Sequence, residues 1–480
     1  MKIALLIPDG VGVRNFVLGP FMAAATREHR VNVLHSIPQE QLATYKQLDR
    51  SGTVEWHELA RMHDRPLAFT LRNSLSYSQT YWVNNFAMRM MRDRPVNGSW
   101  RTRAAVWTAK AIGYASASPR GIQMLERVHN LAAGRQPEVA EYRRQFQRMR
   151  PDVLFCSHQR PPSIIAPVLA ARSLGIPTAT FIFSWDNLSS KGRIAAPFDH
   201  YLVWSDHMQG EMRRYYPQIA PERTRVVGTP QFDPYGDDEI LWSREEFFRR
   251  IGADPKRALI CFSGGDVGNS IEDHLHVRAL LELIRDGRIP GNPQVILRPA
   301  PVDDGVRYAP VRRDHPELIY AQPNWVSTQD GEWSAFFPLP SDLDFLANLT
   351  YHCDLNVNFA STMTLDFALR DKPVINLAFD VTHPPVFGMP MWDYYQQWEH
   401  YRPVIEFGAA RFARSRDELA EQVSAYLAQP ELDRDGRRRF VELEVGVPVG
   451  KASQQILDVL ESIAGSPSRP TTAALVESAS

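Results

Sequence analysis

Apolar residues along this chain fall mostly into short continuous runs, and the stretches between them carry helical spacing. That alternation predicts a parallel α/β protein. The first run, Ile3-Ala4-Leu5-Leu6-Ile7, follows directly on Met1-Lys2 and reads as a buried strand. A helix over 16–29, a second strand over 30–35 and a weak third strand at Val54-Glu55-Trp56 are expected next. From 67 to 149 the pattern is helical, with breaks near Pro95-Val96-Asn97-Gly98, Ser118-Pro119 and Gly134. This stretch is an insertion in the βα alternation. Strands at 153–156, 177–183, 201–205 and 225–228 follow, separated by helices over 163–174 and 206–216. The turn-rich segment TPQFDPYG at 229–236 predicts a linker.

A second series then begins. Ser243 and Glu246 have capping-box spacing at the start of a helix over 243–251. Strands are expected at 258–262, 294–297 and 318–320, with a helix over 271–285 between the first two. The most informative stretch is DLNVNFASTMTLDFALRDKPVINLAFD at 354–380. It predicts a strand ending at Phe359, a small-hydroxyl loop at Ala360-Ser361-Thr362, a short helix, and a strand at Val374-Ile375-Asn376-Leu377. The helix start in such a unit suits a phosphate. Asp366, one turn along, is placed to accept bonds from ribose or sugar hydroxyls.

Composition narrows the classes. A chain of 480 residues exceeds one ordinary core, so two domains are expected. No apolar run approaches the ~18 residues of a membrane span. The start has no basic leader, and Cys156, Cys261 and Cys353 lack metal-ligand spacing, which points to a reducing, cytoplasmic setting. The net charge of -1 conceals an uneven distribution. Residues 61–150 hold fifteen arginines and one lysine against five acidic residues, a net of +11, while the remainder is -12. Such a block fits either an anionic partner or a set of solvated helical faces. No nucleic-acid module accompanies it, so no nucleic-acid partner is expected.

Candidate chemistry lies in the loops after strands. Asp9-Gly10-Val11-Gly12 follows the first strand, but the third glycine of a dinucleotide fingerprint is missing, as is an acidic residue after the second strand. Asp9 reads either as a general base or as a helix cap. His158 in Ser157-His158-Gln159-Arg160 and Asp186 in the polar loop 184–193 are further base candidates. In the second series, Ser263-Gly264-Gly265 allows backbone to approach a diphosphate. Arg298 ends a strand where its guanidinium can clamp phosphate, and Asn324 lies where a base could bond. Asp342-Leu343-Asp344 has the spacing of a metal motif but falls at a helix start, so no metal is expected.

Two Rossmann-like halves, a mid-chain linker and terminal helices resemble the GT-B glycosyltransferases. SGGD at 263–266, LRP at 297–299, PSDLDFL at 340–346 and NFASTMTLDFALRDKPVIN at 358–376 follow the order and spacing of that family's donor domain. SWDNLSSKGRIAAPFDHYLVWSDHM and VVGTPQFDPY look like bacterial surface-polysaccharide and capsule transferases. The resemblance covers about 150–465. It implies an α/β protein of GT-B architecture, two Rossmann-like domains facing a cleft. The expected parts are an acceptor domain over 1–232 with its basic insertion at about 65–150, and a donor domain over 233–435. Helices over 436–465 would cross back, and the Ser/Thr/Pro/Ala-rich tail at 466–480 is expected to be disordered.

The resemblance also implies roles. The donor diphosphate would rest on Ser361 and Thr362 with Arg298 nearby, and Asp366 would hold ribose or hexose. Asp366 stands where glutamate is more usual, and the paired glutamates of many retaining members are absent. This favours inversion with one base among Asp9, His158 and Asp186. Gly10, Arg14, Trp185, Asn187 and Lys191 fall on the acceptor side. The implied activity is transfer of a sugar from a nucleotide-diphosphate donor to a glycan or lipid-linked acceptor in surface-polysaccharide synthesis. It would take place in the cytoplasm, with residues 61–150 a candidate contact for an anionic membrane surface. A sugar-nucleotide 2-epimerase, a polyol-phosphate transferase and a non-catalytic glycan- or nucleotide-binding scaffold remain alternatives on the same architecture.

Overall fold

The computed structural model describes residues 1–60, 65–268, 270–327, 335–382 and 388–465. The first residues of the basic block (61–64), Asn269 of the glycine loop and the 466–480 tail lie outside the described residues. The chain forms two compact units, Met1–Asp233 with Glu444–Ser480, and Pro234–Leu443.

The first unit is built on seven parallel strands: β1 Lys2–Ile7, β2 Arg30–His35, β3 Glu55–Glu58, β4 Val153–Cys156, β5 Thr178–Phe181, β6 His200–Val203 and β7 Thr224–Val226. Their order is β3-β2-β1-β4-β5-β6-β7, so the sheet grows in both directions from the β1/β4 pair. Both faces of such a sheet are covered, which is why β1 and β4 are continuous apolar runs rather than alternating ones. Phe16 meets Phe21, Phe155 and Phe181 at ring-centroid distances of 5.1, 5.2 and 5.5 Å in the core beside them.

The single helix expected over 16–29 is interrupted. A one-turn helix at Gly10–Val13 passes through a wider π-helical turn at Arg14–Leu18, and Pro20–Glu28 follows. Pro20 lacks an N–H and suits only a first helical turn, so the helix restarts there. The insertion consists of five helices, Pro66–Val83, Phe86–Asp93, Trp100–Ala115, Pro119–Ala133 and Pro137–Met149. No described helix is long and apolar enough to cross a membrane.

The terminal helix Ala452–Ala464 returns to the first unit, packing on the Pro20–Glu28 helix and β4. Asp233, buried at the end of the first pass, accepts from the amides of Ala452 at 3.0 Å and Ser453 at 2.7 Å. A carboxylate at a helix N-terminus satisfies amides that have no partner within the helix. Gly446 makes the return possible. It has φ +72, and a Cβ there would lie 2.6 Å from Ser205 Cα.

The second unit has a parallel sheet of β8 Leu259–Ser263, β9 Gln294–Arg298, β10 Ile319–Tyr320, β13 Leu355–Asn358, β14 Val374–Leu377 and β15 Arg411–Ala413, in the order β10-β9-β8-β13-β14-β15. A small antiparallel pair, β11 Trp325–Ser327 and β12 Phe336–Pro338, lies outside it. Trp325, next to Asn324, opens that pair. The helix Arg434–Val445 begins in the second unit, which extends eight residues beyond the expected end at 435.

Candidate functional site

In an open parallel sheet, ligands sit beyond the carboxyl ends of the strands where the order reverses. In the first unit those strands are β1 and β4, and they deliver Asp9 and His158 to one place. Asp9 is extended (φ -160, ψ 175), and its Oδ1 accepts from the Gly12 amide at 2.9 Å, capping the Gly10–Val13 turn. Its Oδ2 pairs with His158 Nδ1. Asp9 is therefore a helix cap, as one of its two sequence readings has it, and its other oxygen meets His158. Gly12 lies close to this loop: a Cβ there would lie 2.5 Å from Ser157 Oγ, and that hydroxyl would have to turn away.

The His158 loop is fixed from below. Ser157 N donates to Leu6 O at 3.0 Å, and Cys156 Sγ donates to His158 O at 3.1 Å. Burial pushes the Cys156 thiol up to about 12, so it remains a protonated donor. Phe183 packs on the imidazole with centroids 3.9 Å apart. Burial by itself would raise the Asp9 carboxyl, but the facing His158 and bonds from Gly12 and Val11 hold it below its ordinary 3.8. An ionised Asp9 keeps the proton of a neutral imidazole on Nδ1, which leaves the lone pair on Nε2. That Nε2 atom is buried and has no hydrogen-bond partner among the described residues. The pair is arranged to accept a proton.

Asp186 is committed elsewhere. It accepts from Ser184 Oγ at 2.6 Å, Asn187 Nδ2 at 3.0 Å and Ser190 Oγ at 2.9 Å, with Lys191 Nζ at 3.4 Å. A carboxylate saturated by its own loop organises that loop. Asn187 and Lys191 are used in the same way, and Trp185 is buried. Arg14 donates to Gln231 Oε1 at 2.8 Å and Asn15 Oδ1 at 3.0 Å, while Gly10 is buried in the first turn. Gln159, which the sequence reading passed over, ties the loops together: its Nε2 donates to Asn187 Oδ1 at 2.8 Å and its carbonyl accepts from Ala195 N at 2.9 Å. Next to it, burial lowers the Arg160 guanidinium, opposed by the fields of Asp186, Tyr216 and Asp9.

In the second unit the order reverses between β8 and β13. The register sets Arg298, Ser263, Asn358 and Asn376 side by side across four strand ends. A buried amide network joins the last three through Asn356. Asn356 Nδ2 donates to Ser263 Oγ at 2.7 Å, Asn358 Nδ2 to Asn356 Oδ1 at 2.6 Å, and Asn376 Nδ2 to Asn358 Oδ1 at 3.0 Å. Tyr401 closes it at 3.1 Å from Asn376 Oδ1. The signal was available, since asparagines at i and i+2 of a strand share one sheet face.

The network reaches the Ser361-Thr362 loop, whose amides are less free than expected. Ser361 N donates to Asn358 Oδ1 at 3.0 Å, Met363 N to Ser361 Oγ at 3.3 Å, and Ala360 N, at φ +42, to Tyr395 Oη at 2.9 Å. The following helix is the seven-residue Met363–Leu369. Asp366 is 3% exposed and accepts from Tyr235 Oη at 2.6 Å. The hydroxyl it meets here is therefore a tyrosine's.

Arg298 also has a resident partner. Its Nη2 donates to both Asp342 oxygens, at 2.9 and 3.0 Å, leaving Nη1 buried without a partner among the described residues. Asp342 accepts further from Asn324 N at 2.7 Å and Trp325 Nε1 at 2.8 Å. Burial would raise its carboxyl, but Arg298 and these bonds hold it down. The Asp342-Leu343-Asp344 spacing therefore presents no free pair of carboxylates. Asn324 Nδ2 donates to Ser341 Oγ at 2.6 Å. The glycine loop is braced likewise: Gly264 N donates to Arg298 O at 2.8 Å, Gly265 N to Asp273 Oδ2 at 2.6 Å, and Arg307 Nη2 to Gly265 O at 2.8 Å. Among the described residues, one group has metal-ligand spacing, Glu28, His29 and Glu461. There His29 pairs with Glu461 at 3.1 Å and pins the terminal helix.

No protein-family model matches the chain, and no curated protein sequence does. Solved structures do match, at full length and low identity. The chain is similar to a UDP-GlcNAc 2-epimerase from Neisseria meningitidis bound to UDP-GlcNAc, with TM-score 0.53, 11% identity, and coverage of 96% of this chain and 100% of that one. A glycosyltransferase from Rickettsia africae ESF-5 aligns with TM-score 0.51 and 10% identity over 97% and 98% of the two chains. The wall teichoic acid polymerase TagF aligns with TM-score 0.50 and 10% identity over 96% and 89%. At such identities the likeness shows the fold. The chain has a GT-B glycosyltransferase-like fold of two Rossmann-like units.

Proposed function

We propose that this GT-B-fold protein is a glycosyltransferase that moves a sugar from a nucleotide-sugar donor to a hydroxyl of a glycan or lipid-linked acceptor, with inversion. The observation that carries the reading is the buried Asp9–His158 pair, with its unpartnered Nε2 at the strand-order reversal of the first unit. His158 would take the acceptor's hydroxyl proton on Nε2 as that oxygen bonds to the sugar's anomeric carbon. The carbon–oxygen bond to the diphosphate would break with its electron pair going to the leaving nucleotide. Asp9 would orient the imidazole and stabilise its charged form.

The second unit would hold the donor near Ser263, Gly264, Gly265, Ser361 and Thr362. Arg298 Nη1 supplies a donor beside that row, while Asp342 balances the charge of its guanidinium. No metal is invoked, because Asp342 is already engaged by Arg298. The named likenesses to a UDP-GlcNAc 2-epimerase and to a teichoic acid polymerase favour keeping an epimerase and a polyol-phosphate transferase as second readings.

Incubation of the protein with nucleotide sugars, with and without a lipid-linked oligosaccharide extract, separates them. Sugar incorporation into the extract, lost in His158→Ala, supports transfer. An isomerised nucleotide sugar formed with no acceptor would replace transfer with epimerisation, and incorporation of polyol phosphate from a CDP-polyol would favour the third reading.

A further inference from the structure

The helical insertion of the first unit exposes an unusual set of side chains. Of the fifteen large apolar residues left exposed among the described positions, nine lie between Leu67 and Leu131. The pattern on the Trp100–Ala115 helix is regular. Trp100, Arg103, Trp107, Ala111 and Tyr114 recur at the spacing that puts them on one face, and all are exposed. Trp100, Trp107 and Tyr114 are 73%, 61% and 72% exposed. The next helix, Pro119–Ala133, repeats the alternation on its outer side, with Met124, Val128 and Leu131 interleaved by Arg120 and Arg127. Both helices pack inward on the Pro66–Val83 helix, burying Leu71, Leu75, Ile122 and Leu125. The exposed stripes are therefore not needed to complete the core.

Charge identifies the partner. Residues 65–135 contain eleven arginines and lysines and only two acidic residues. Asp93 is paired with Arg92, and Glu126 is turned to Arg193. The outer face thus offers aromatic and aliphatic groups beside the exposed Arg101, Arg103, Arg120 and Arg127, with no free anion among the described residues. Arg101 lies over Trp100 at 5.5 Å, and the buried Lys110 backs Trp107 from beneath at 5.0 Å. Amphipathic rings seat at the headgroup level of a bilayer, and long cationic side chains reach outward from there to lipid phosphates. A protein partner would instead have to match each cation with a placed acid.

We infer that the outer faces of the Trp100–Ala115 and Pro119–Ala133 helices form a docking surface for an anionic lipid bilayer. The surface lies wholly within the first unit, and the inference is independent of the reaction catalysed.

The test is flotation of the full-length protein with vesicles of phosphatidylcholine alone and with one part in three of phosphatidylglycerol. Binding to the anionic vesicles at low salt is expected, with little to the neutral ones. It should fall at least tenfold in Arg101→Gln/Arg103→Gln, on the basis of roughly fivefold per surface arginine. Trp100→Ala/Trp107→Ala/Tyr114→Ala should also lose binding, and should lose the fluorescence quenching that brominated lipid produces in the wild type. These side chains are exposed, so an unchanged circular dichroism spectrum will accompany both variants. Absence of flotation by folded protein at low salt would overturn the inference, as would binding unaffected by the aromatic variant. A dimer dissociated by that variant, with no vesicle binding, would assign the face to a second copy and overturn it too.

Discussion

Asp9→Asn separates the two tasks of one side chain. Asparagine ranks with aspartate as an N-cap, so the 2.9 Å bond from the Gly12 amide survives and the Gly10–Val13 turn keeps its start. The other oxygen is where the change falls. With an amide –NH2 facing it, His158 Nδ1 becomes an acceptor, and the ring proton moves to Nε2. That atom can then no longer take a proton. The charge-assisted bond lost is worth about 1.5–3 kcal/mol of stability. The effect on rate is larger, because the wrong tautomer must be corrected in every turnover and the imidazolium loses its counter-charge. A fall in kcat of about 10²–10⁴-fold is expected, or about 3–5 kcal/mol of barrier. Donor affinity should stay unchanged, since the proposed nucleotide contacts belong to the second unit. The assay is steady-state transfer from the preferred nucleotide sugar across pH 5–9, with nucleotide Kd measured in parallel. A variant retaining more than about a third of wild-type kcat, or one whose whole loss appears in donor Kd, would refute the base assignment.

Arg298→Ala leaves Asp342 buried without its cation and should cost about 3–5 kcal/mol, read as lost amide protection in β9 and the Pro340–His352 helix by hydrogen exchange. Arg298→Met/Asp342→Leu should cost much less, and equal costs would show that the pair does not act as a unit. Asp186→Ala removes the acceptor of Ser184, Asn187 and Ser190. Residues 184–193 should become protease-sensitive, while the pH dependence of any remaining turnover keeps its wild-type form. Burial pushes the Glu444 carboxyl up from 4.5 to about 8. A native state that holds this proton loses stability as pH rises from 4.5 to 8, by an amount on the order of 5 kcal/mol. Glu444→Gln should therefore raise the thermal midpoint at pH 8.5 relative to the wild type and bring little gain at pH 5, whereas a parallel shift at both would exclude the buried carboxyl as the cause.

Most of the fold was legible because a strand buried on both faces must be a continuous apolar run. β1, β4 and β8 obey that rule, whereas β13 alternates Leu355 and Val357 with the buried Asn356 and Asn358 and was marked by the small-hydroxyl loop that follows it. The π-helical turn at Arg14–Leu18 was not legible, because it depends on how Phe16 packs among Phe21, Phe155 and Phe181. Asp9 and His158 could be named singly, but 149 residues separate them and only the sheet order brings them together. Arg298 and Asp366 carried the right chemistry for ligand contact, yet Asp342 and Tyr235 fill much of their bonding capacity from within the fold. Spacing identifies a charged residue at a strand end; it does not show which internal partner has already claimed it.

The central claim, that this chain handles a nucleotide-activated sugar, is tested most directly by the thermal midpoint of the intact protein against UDP, GDP, CDP, TDP and CMP, first without metal and then with magnesium. The account predicts stabilisation by one nucleoside diphosphate without metal, growing with concentration as RT ln(1 + [L]/Kd). Well-folded protein whose midpoint stays unchanged with every nucleotide up to millimolar concentration would contradict it.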